Sequence, residues 1–161
     1  MKGKIEFIIA QFNAIVGDID GNLNKIIGII DNNRGLNATK VFIFPELALC
    51  GYSPEDLLFR KDFAKKVNNS ILELSQQIKI NEYLIIGGPR YSDDYSKVWN
   101  SAFIINNKKV IETYDKQFLP NYGVFVNSLF SVYPSFSIYY WFFYYLSNSS
   151  FYTITPTNTI P

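Results

Sequence analysis

The fold is decided by residues 40–52, which read KVFIFPELALCGY. The first five positions, residues 40–44, are rich in β-branched and aromatic side chains, a composition typical of a buried strand. Pro45 ends this strand, because proline has no backbone N–H to donate to a neighbouring strand. Glu46 follows at once, so the sequence predicts a carboxylate at the carboxyl end of a buried strand.

The flanking segments predict further strands. Apolar runs typical of buried strands occur on either side of this stretch, at residues 4–12 and 83–87. Residues 99–106 and 110–114 predict an antiparallel hairpin, joined by the polar residues between them.

Two amphipathic helices separate the predicted strands. Asp20 is expected to cap the first helix, whose apolar face repeats at helical spacing over Leu23, Ile26, Ile27 and Ile30. Ser53 is expected to cap the second, whose apolar face comprises Phe63, Val67, Ile71, Leu74 and Ile78. This alternation of strands and helices, followed by a hairpin, predicts a layered α/β domain with a mixed sheet.

Two charged residues follow predicted strands directly, where functional residues of α/β sheets gather. Glu46 follows residues 40–44, and Lys116 comes two residues after the strand at 110–114. A carboxylate and an ammonium group at strand ends are candidates for acid–base and electrostatic catalysis. Each also has a simpler interpretation as a solvated surface charge, and the pattern alone does not decide between the two.

Composition excludes several kinds of site. The chain has 15 basic and 14 acidic residues, a net charge of +1, so no nucleic-acid partner is predicted. Histidine is absent, which excludes Ser-His-Asp and Cys-His nucleophile pairs and His-bearing zinc sites. The single cysteine, Cys50, gives neither a disulfide framework nor metal-site spacing, so no metal is predicted. The beginning of the chain lacks the long apolar region of a signal peptide, and a cytoplasmic protein is expected.

The composition changes abruptly near residue 125. All the charged residues lie between Lys2 and Lys116, whereas residues 126–161 are uncharged and dominated by aromatic residues, serine, isoleucine and asparagine. We therefore divide the chain into a domain at residues 1–125 and a tail at 126–161 that is assigned to no domain. A membrane anchor would use residues 129–146, but Pro134 interrupts that run and no basic residue flanks it, so membrane association is not expected.

Several long stretches are similar to a known family. Residues 44–52, FPELALCGY, resemble the first signature of the nitrilase, or carbon–nitrogen hydrolase, superfamily, and Lys116 lies in a second matching stretch, YDKQFLPNY. Residues 51–58, GYSPEDLL, and residues 119–125, LPNYGVF, look like the glutaminase domain of glutamine-dependent NAD synthetases. The resemblance extends over residues 4–125.

The resemblance implies a fold and a set of site residues. It implies the α-β-β-α sandwich of that superfamily, incomplete here, with about the first half of the domain present. Glu46 would be the general base and Lys116 would stabilise the oxyanion, while a cysteine thiolate attacks the side-chain amide of glutamine. Tyr122 and Phe125 would line the glutamine pocket.

The sequence departs from the family pattern after Phe125, where an acidic pair is expected and Val126-Asn127 stand instead. No cysteine follows Cys50, which lies four residues after Glu46 and is interpreted as a small structural side chain. The chain is therefore expected to be inactive alone. Because the match stops where the charges stop, a frame disruption in an AT-rich gene is preferred over a native aromatic tail.

The resemblance also implies substrates and partners. Glutamine would be the small-molecule substrate, and full-length family members form homo-oligomers. No cofactor is assigned to this chain, since ATP and magnesium serve the synthetase domain of the full-length family. Two alternatives remain open: a different nitrilase-superfamily amidase, and a catalytically dead module that binds a partner synthetase subunit through the aromatic tail.

Overall fold

The computed structural model describes residues 4–35, 38–116 and 153–156, the last four as backbone. The described residues form a six-stranded mixed sheet in the order β5-β4-β3-β2-β1-β6. The strands are β1 (Ile5–Ile9), β2 (Thr39–Ile43), β3 (Glu82–Tyr91), β4 (Val98–Asn106), β5 (Lys109–Asp115) and β6 (Thr153–Pro156). The strands β6, β1, β2 and β3 pair in parallel, and β3-β4-β5 pair antiparallel. This confirms the predicted α/β class and mixed sheet.

The third strand is longer than predicted, because β3 continues to Tyr91 instead of ending at residue 87. Its first half pairs with β2 only as far as Ile85, whereas residues 83–91 pair with β4. Pro89 therefore lies where β3 has a partner on one side, a position at which a strand tolerates a residue without an N–H. The added length carries the sheet beyond the end of β2, which is where Glu46 lies.

The predicted hairpin is confirmed. Asn107 and Lys108 join β4 to β5, and their φ angles of 45° and 64° are positive, as a tight two-residue hairpin turn requires. The backbone N–H of Lys108 also donates to the carbonyl of Ile78, at 2.9 Å, so the turn is attached to the end of the second helix.

Both helices exist, but the predicted caps are wrong. Helix α1 (Ile19–Asn32) is capped by Asp18, whose carboxylate accepts the N–H of Gly21 at 3.0 Å. Asp20 lies in the first turn instead and pairs with Lys66 at 2.6 Å. The helix starts two residues earlier than a cap at Asp20 would allow, and its first residue, Ile19, is buried in the core.

The second helical region is divided in two. A 3₁₀ turn spans Glu55–Phe59, and helix α2 spans Lys61–Gln77, with Arg60 in an extended conformation between them. Ser53 does not cap either element, since Pro54 precedes the 3₁₀ turn without a side-chain hydrogen bond. Within the described ranges, no helix has the length and apolar character needed to cross a membrane.

The core lies between the helices and one face of the sheet, where a row of side chains crosses four strands. Ile8, Phe42, Leu84 and Ile105 are register partners across four strands, and each is at least 96% buried. The helices add the buried side chains Leu23, Ile26, Ile30, Val67, Ile71 and Leu74 to the same cluster. The predicted apolar faces are thus the ones that pack on the sheet, with Ile27 partly buried and the other predicted members buried.

A buried asparagine connects the helices' side of the sheet to the loops. The side chain of Asn22, on α1, donates to the carbonyls of Ile15 and Leu49 at 2.8 and 3.2 Å. Its oxygen accepts the N–H of Ile15 at 2.9 Å. Asn22 therefore holds the loop after β1 against the loop after β2, which carries Glu46.

Replacement of Asn22 by alanine is expected to lower the free energy of unfolding by about 2–4 kcal/mol, because it leaves buried backbone groups of Ile15 and Leu49 without partners. Urea denaturation of the full chain measures the change. Asn24→Ala is the matched control on the exposed side of α1, with an expected change within about 0.5 kcal/mol. Equal losses from both substitutions would contradict this assignment.

Candidate active site

Glu46 reaches the site because the loop after β2 crosses directly over β3 at Gly87. A Cβ atom added to Gly87 would lie 2.7 Å from the Cα of Glu46 and 2.7 Å from the nitrogen of Leu47. Only glycine allows two backbones to approach so closely. The loop is further fixed by hydrogen bonds from the N–H groups of Cys50 and Gly51 to the carbonyl of Leu47, at 3.1 and 2.8 Å.

Lys116 meets Glu46 from the other side. It directly follows β5, and its backbone N–H donates to the carbonyl of Asn100 on β4 at 2.7 Å. Its Nζ lies 2.7 Å from Oε1 of Glu46. The structure therefore brings together two predicted site residues that are 70 positions apart in the sequence. The side chains of Lys116 and Glu46 are 37% and 44% exposed, so the pair faces outward from the sheet.

Asn100 is a third member of this site that the sequence analysis did not identify. It is 7% exposed, and its Nδ2 donates to Oε1 of Glu46 at 2.6 Å. One signal was available, since Asn100 and Ser101 are polar residues inside a strand that is otherwise apolar from Val98 to Ile105. The apolar pattern likewise predicts Gly87 only as a strand end, although a glycine within a strand marks a close backbone approach.

An ion pair supports the end of β5 next to Lys116. Arg90, on β3, binds Asp115 through two hydrogen bonds of 2.9 and 2.6 Å, and Ser101 donates to the same carboxylate at 2.6 Å. The guanidinium carbon of Arg90 also lies 3.9 Å from the ring centroid of Trp99. Hydrogen bonding to Asp115 raises the pKa of Arg90, so the guanidinium remains charged at this position.

Cys50 has the surroundings of a structural residue, as predicted. It is fully buried, and its Sγ lies 3.6 Å from the carbonyl oxygen of Gly51. Burial raises the pKa of the Cys50 thiol from 9.0 to about 12, because the apolar surroundings disfavour a thiolate. Cys50 is therefore not a nucleophile in this fold.

The remaining predicted site residues, Tyr122 and Phe125, lie outside the described residues. Their role in a glutamine pocket stays a prediction, as do the catalytic roles of Glu46 and Lys116. Among the described residues, no group of three or more histidine, cysteine or acidic side chains is arranged to hold a metal ion.

Replacement of Gly87 by alanine is expected to displace Glu46 and to lower the free energy of unfolding by about 1–3 kcal/mol, because the new methyl group overlaps the backbone at Glu46. Urea denaturation measures the loss. Gly28→Ala is the matched control, since a Cβ at Gly28 meets nothing within 4 Å inside helix α1. It is expected to stabilise the chain by about 0.5–1 kcal/mol. Two changes of the same sign would contradict the proposed close approach.

The Cys50 thiol is expected to be unreactive towards a disulfide reagent at pH 8 until the chain is unfolded, because the folded state holds it buried and protonated. The stabilisation linked to this protonation is present below pH 9 and is lost as the pH rises from 9 towards about 12. Urea denaturation across this pH range measures the slope. Cys50→Ala should remove that alkaline component, and a slope unchanged by the substitution would assign it to other groups.

Comparison with known proteins gives the family. The sequence model of the carbon–nitrogen hydrolase family matches residues 9–142, which extend past the predicted boundary at residue 125. The chain is 34% identical over 122 residues to the glutamine-dependent NAD(+) synthetase of Aquifex aeolicus, covering 75% of this chain and 21% of that protein. It is 36% identical over 121 residues to the enzyme of the same name from Xylella fastidiosa, with 75% and 22% covered.

Solved structures agree with the sequence relatives. The glutamine-dependent NAD+ synthetase of Acinetobacter baumannii superimposes with a TM-score of 0.67 and 32% identity, over 79% of this chain and 24% of that one. An amidase from Nesterenkonia sp. shares the fold at a TM-score of 0.60 and 19% identity, with 80% and 48% covered. The chain spans about a fifth of the length of the curated relatives it matches. With the matched residues covering most of its length, the chain belongs to the carbon–nitrogen hydrolase family.

Proposed function

We propose that this chain carries the carboxylate–lysine pair of a glutamine amide-hydrolysing site, and that it is part of the ammonia-supplying domain of a glutamine-dependent NAD synthetase. The observation that carries the proposal is the 2.7 Å contact between Lys116 Nζ and Glu46 Oε1, which joins the ends of β5 and β2 through residues 70 positions apart. The identity of 34% and 36% to the NAD synthetases of Aquifex aeolicus and Xylella fastidiosa, each over 75% of this chain, supports this assignment.

The two groups suit the two charge changes of amide hydrolysis. A nucleophilic thiol must lose its proton before it attacks the amide carbon, and the Glu46 carboxylate is a base for that proton. Attack places negative charge on the amide oxygen, which a fixed ammonium group such as Lys116 stabilises. Glutamine would then release ammonia and form a glutamyl thioester, which water hydrolyses with Glu46 again as the base.

The thiol for this chemistry is not provided by Cys50, because that side chain is buried and its pKa is raised to about 12. The sequence has no other cysteine. We therefore infer that the chain does not hydrolyse glutamine by itself. ATP and magnesium would serve the synthetase part of full-length family members, and no residue of this chain is assigned to ATP or to magnesium. Full-length family members would assemble as homo-oligomers.

The purified chain is expected to release no ammonia from glutamine above the rate of a blank without protein. A chimera tests the pair directly: residues 4–116 of this chain replace their counterparts in the Aquifex aeolicus NAD synthetase, which supplies the remaining residues. The chimera is expected to release ammonia from glutamine. Glu46→Gln within it should lower the rate at least about 100-fold, because the base is lost.

Glu73→Gln in the same chimera is the matched control, since Glu73 lies exposed on helix α2. It should leave the rate within about twofold, as expected of a surface substitution. Two outcomes would contradict the proposal. One is a chimera in which Glu46→Gln keeps full activity, and the other is ammonia release by the isolated chain that persists in Cys50→Ala.

A further inference from the structure

We propose that Asn100 is the positioning residue of the Glu46–Lys116 pair, and that it holds one oxygen of the Glu46 carboxylate so that the other stays open to exchange a proton. The importance of this arrangement for catalysis rests on the proposed function above. The arrangement itself rests on contacts among described residues.

Asn100 contacts both members of the pair with different parts of one residue. Its side-chain Nδ2 donates to Oε1 of Glu46 at 2.6 Å, and its backbone carbonyl accepts the N–H of Lys116 at 2.7 Å. The two contacts share a single backbone position, so the separation between Glu46 and the start of the Lys116 side chain is fixed by β4. That strand pairs with β3 on one side and β5 on the other, so its position is constrained from both sides.

The pair needs such a support because its own members are exposed. Lys116 and Glu46 are 37% and 44% exposed, and ion pairs between long exposed side chains spend much of their time open. Asn100 is 7% exposed, and its short side chain has little conformational freedom. A buried amide that donates to a carboxylate therefore supplies the order that the ion pair lacks.

Both donors converge on the same oxygen. Asn100 Nδ2 and Lys116 Nζ each bind Oε1 of Glu46, at 2.6 and 2.7 Å. Within the ranges that the structure describes, no residue donates a hydrogen bond to Oε2. Oε1 thus already accepts two hydrogen bonds, which leaves Oε2 as the oxygen available to accept a proton.

The residue type fits this role. An amide nitrogen donates, whereas an aspartate in its place would direct a second negative charge at Oε1.

The neighbouring residues also fix the other side of the pair, because Ser101 and Arg90 bind Asp115, the residue before Lys116. The carboxyl end of β5 and the loop after β2 are thus both held beside Asn100.

The test uses the full chain and measures how well Lys116 is protected. An amine held as an ammonium ion beside a carboxylate reacts slowly with an acylating reagent, and mass spectrometry of peptides reports each lysine separately. In Asn100→Leu, Glu46 loses its anchor, and acylation of Lys116 relative to the exposed Lys61 is expected to rise at least about threefold, since one charge-assisted hydrogen bond is lost at a half-exposed site. Nuclear magnetic resonance of the Lys116 ¹⁵Nζ group should show a matching rise in mobility.

Asn106→Leu is the matched control on the same strand. Asn106 is at the other end of β4 from Asn100, and its Nδ2 donates to the carbonyls of Ile80 and Glu82 at 3.0 and 2.8 Å. It should leave the acylation of Lys116 unchanged. A general loss of stability would instead raise the acylation of Lys116 in both asparagine variants. Asn100→Ser is a second variant in case the leucine substitution prevents folding, and Asn100→Gln, which keeps the donor, should restore part of the protection.

Protection of Lys116 that is unchanged in both Asn100→Leu and Asn100→Ser would overturn the proposal. Equal exposure of Lys116 in Asn106→Leu would overturn it as well, since the effect would then come from the strand and not from the contact. Neither readout depends on glutamine hydrolysis. A failure of the proposed function, seen as an inactive chimera, is therefore separate from a failure of this inference.

Discussion

The site depends on one close approach, the passage of the loop after β2 over Gly87 of β3. A side chain at Gly87 would meet the backbone of Glu46 and Leu47 at 2.7 Å, so the approach exists only because the strand has no Cβ there. Without it, Glu46 would remain on the β2 side of β3 and could not reach β4 or β5. The residues that contact Glu46 lie two and three strands away from β2. Glu46 therefore reaches them only because Gly87 has no side chain.

The other constraint is that flexible charged groups are held by rigid polar ones. Glu46 and Lys116 are partly exposed, whereas Asn100 is buried within a strand that is paired on both sides. The Arg90–Asp115 pair fixes the last residue of β5 through two hydrogen bonds, and it stacks on Trp99, the residue before Asn100. Catalytic groups are precise when packed secondary structure holds them, and here the sheet provides that order.

Local patterns in the sequence predicted the elements and missed the contacts between them. The apolar runs and the polar turn at Asn107-Lys108 identified the strands and the hairpin, because these signals lie within a few residues of each other. The pattern predicts a cap at Asp20 and the structure has it at Asp18, since both acidic residues suit the position and the buried Ile19 begins the helix. The contact of Asn100 with Glu46 spans 54 positions, and no periodicity reports such a pair. Glu46 and Lys116 were found through family resemblance and strand ends together, and their roles stay predictions.

Cys50 is close to Glu46 in the sequence, but its burial keeps the thiol away from the site that Glu46 forms. Cys50 lies four residues from Glu46, yet the turn between them sends the thiol into the core and the carboxylate outward. The same burial that stabilises the loop raises the thiol pKa to about 12 and so removes the thiolate. The loop can either pack against the core or present a nucleophile, and its apolar residues Leu47, Ala48 and Leu49 select packing. A nucleophile for this pair must therefore approach from the outward side, where Glu46 and Lys116 are exposed.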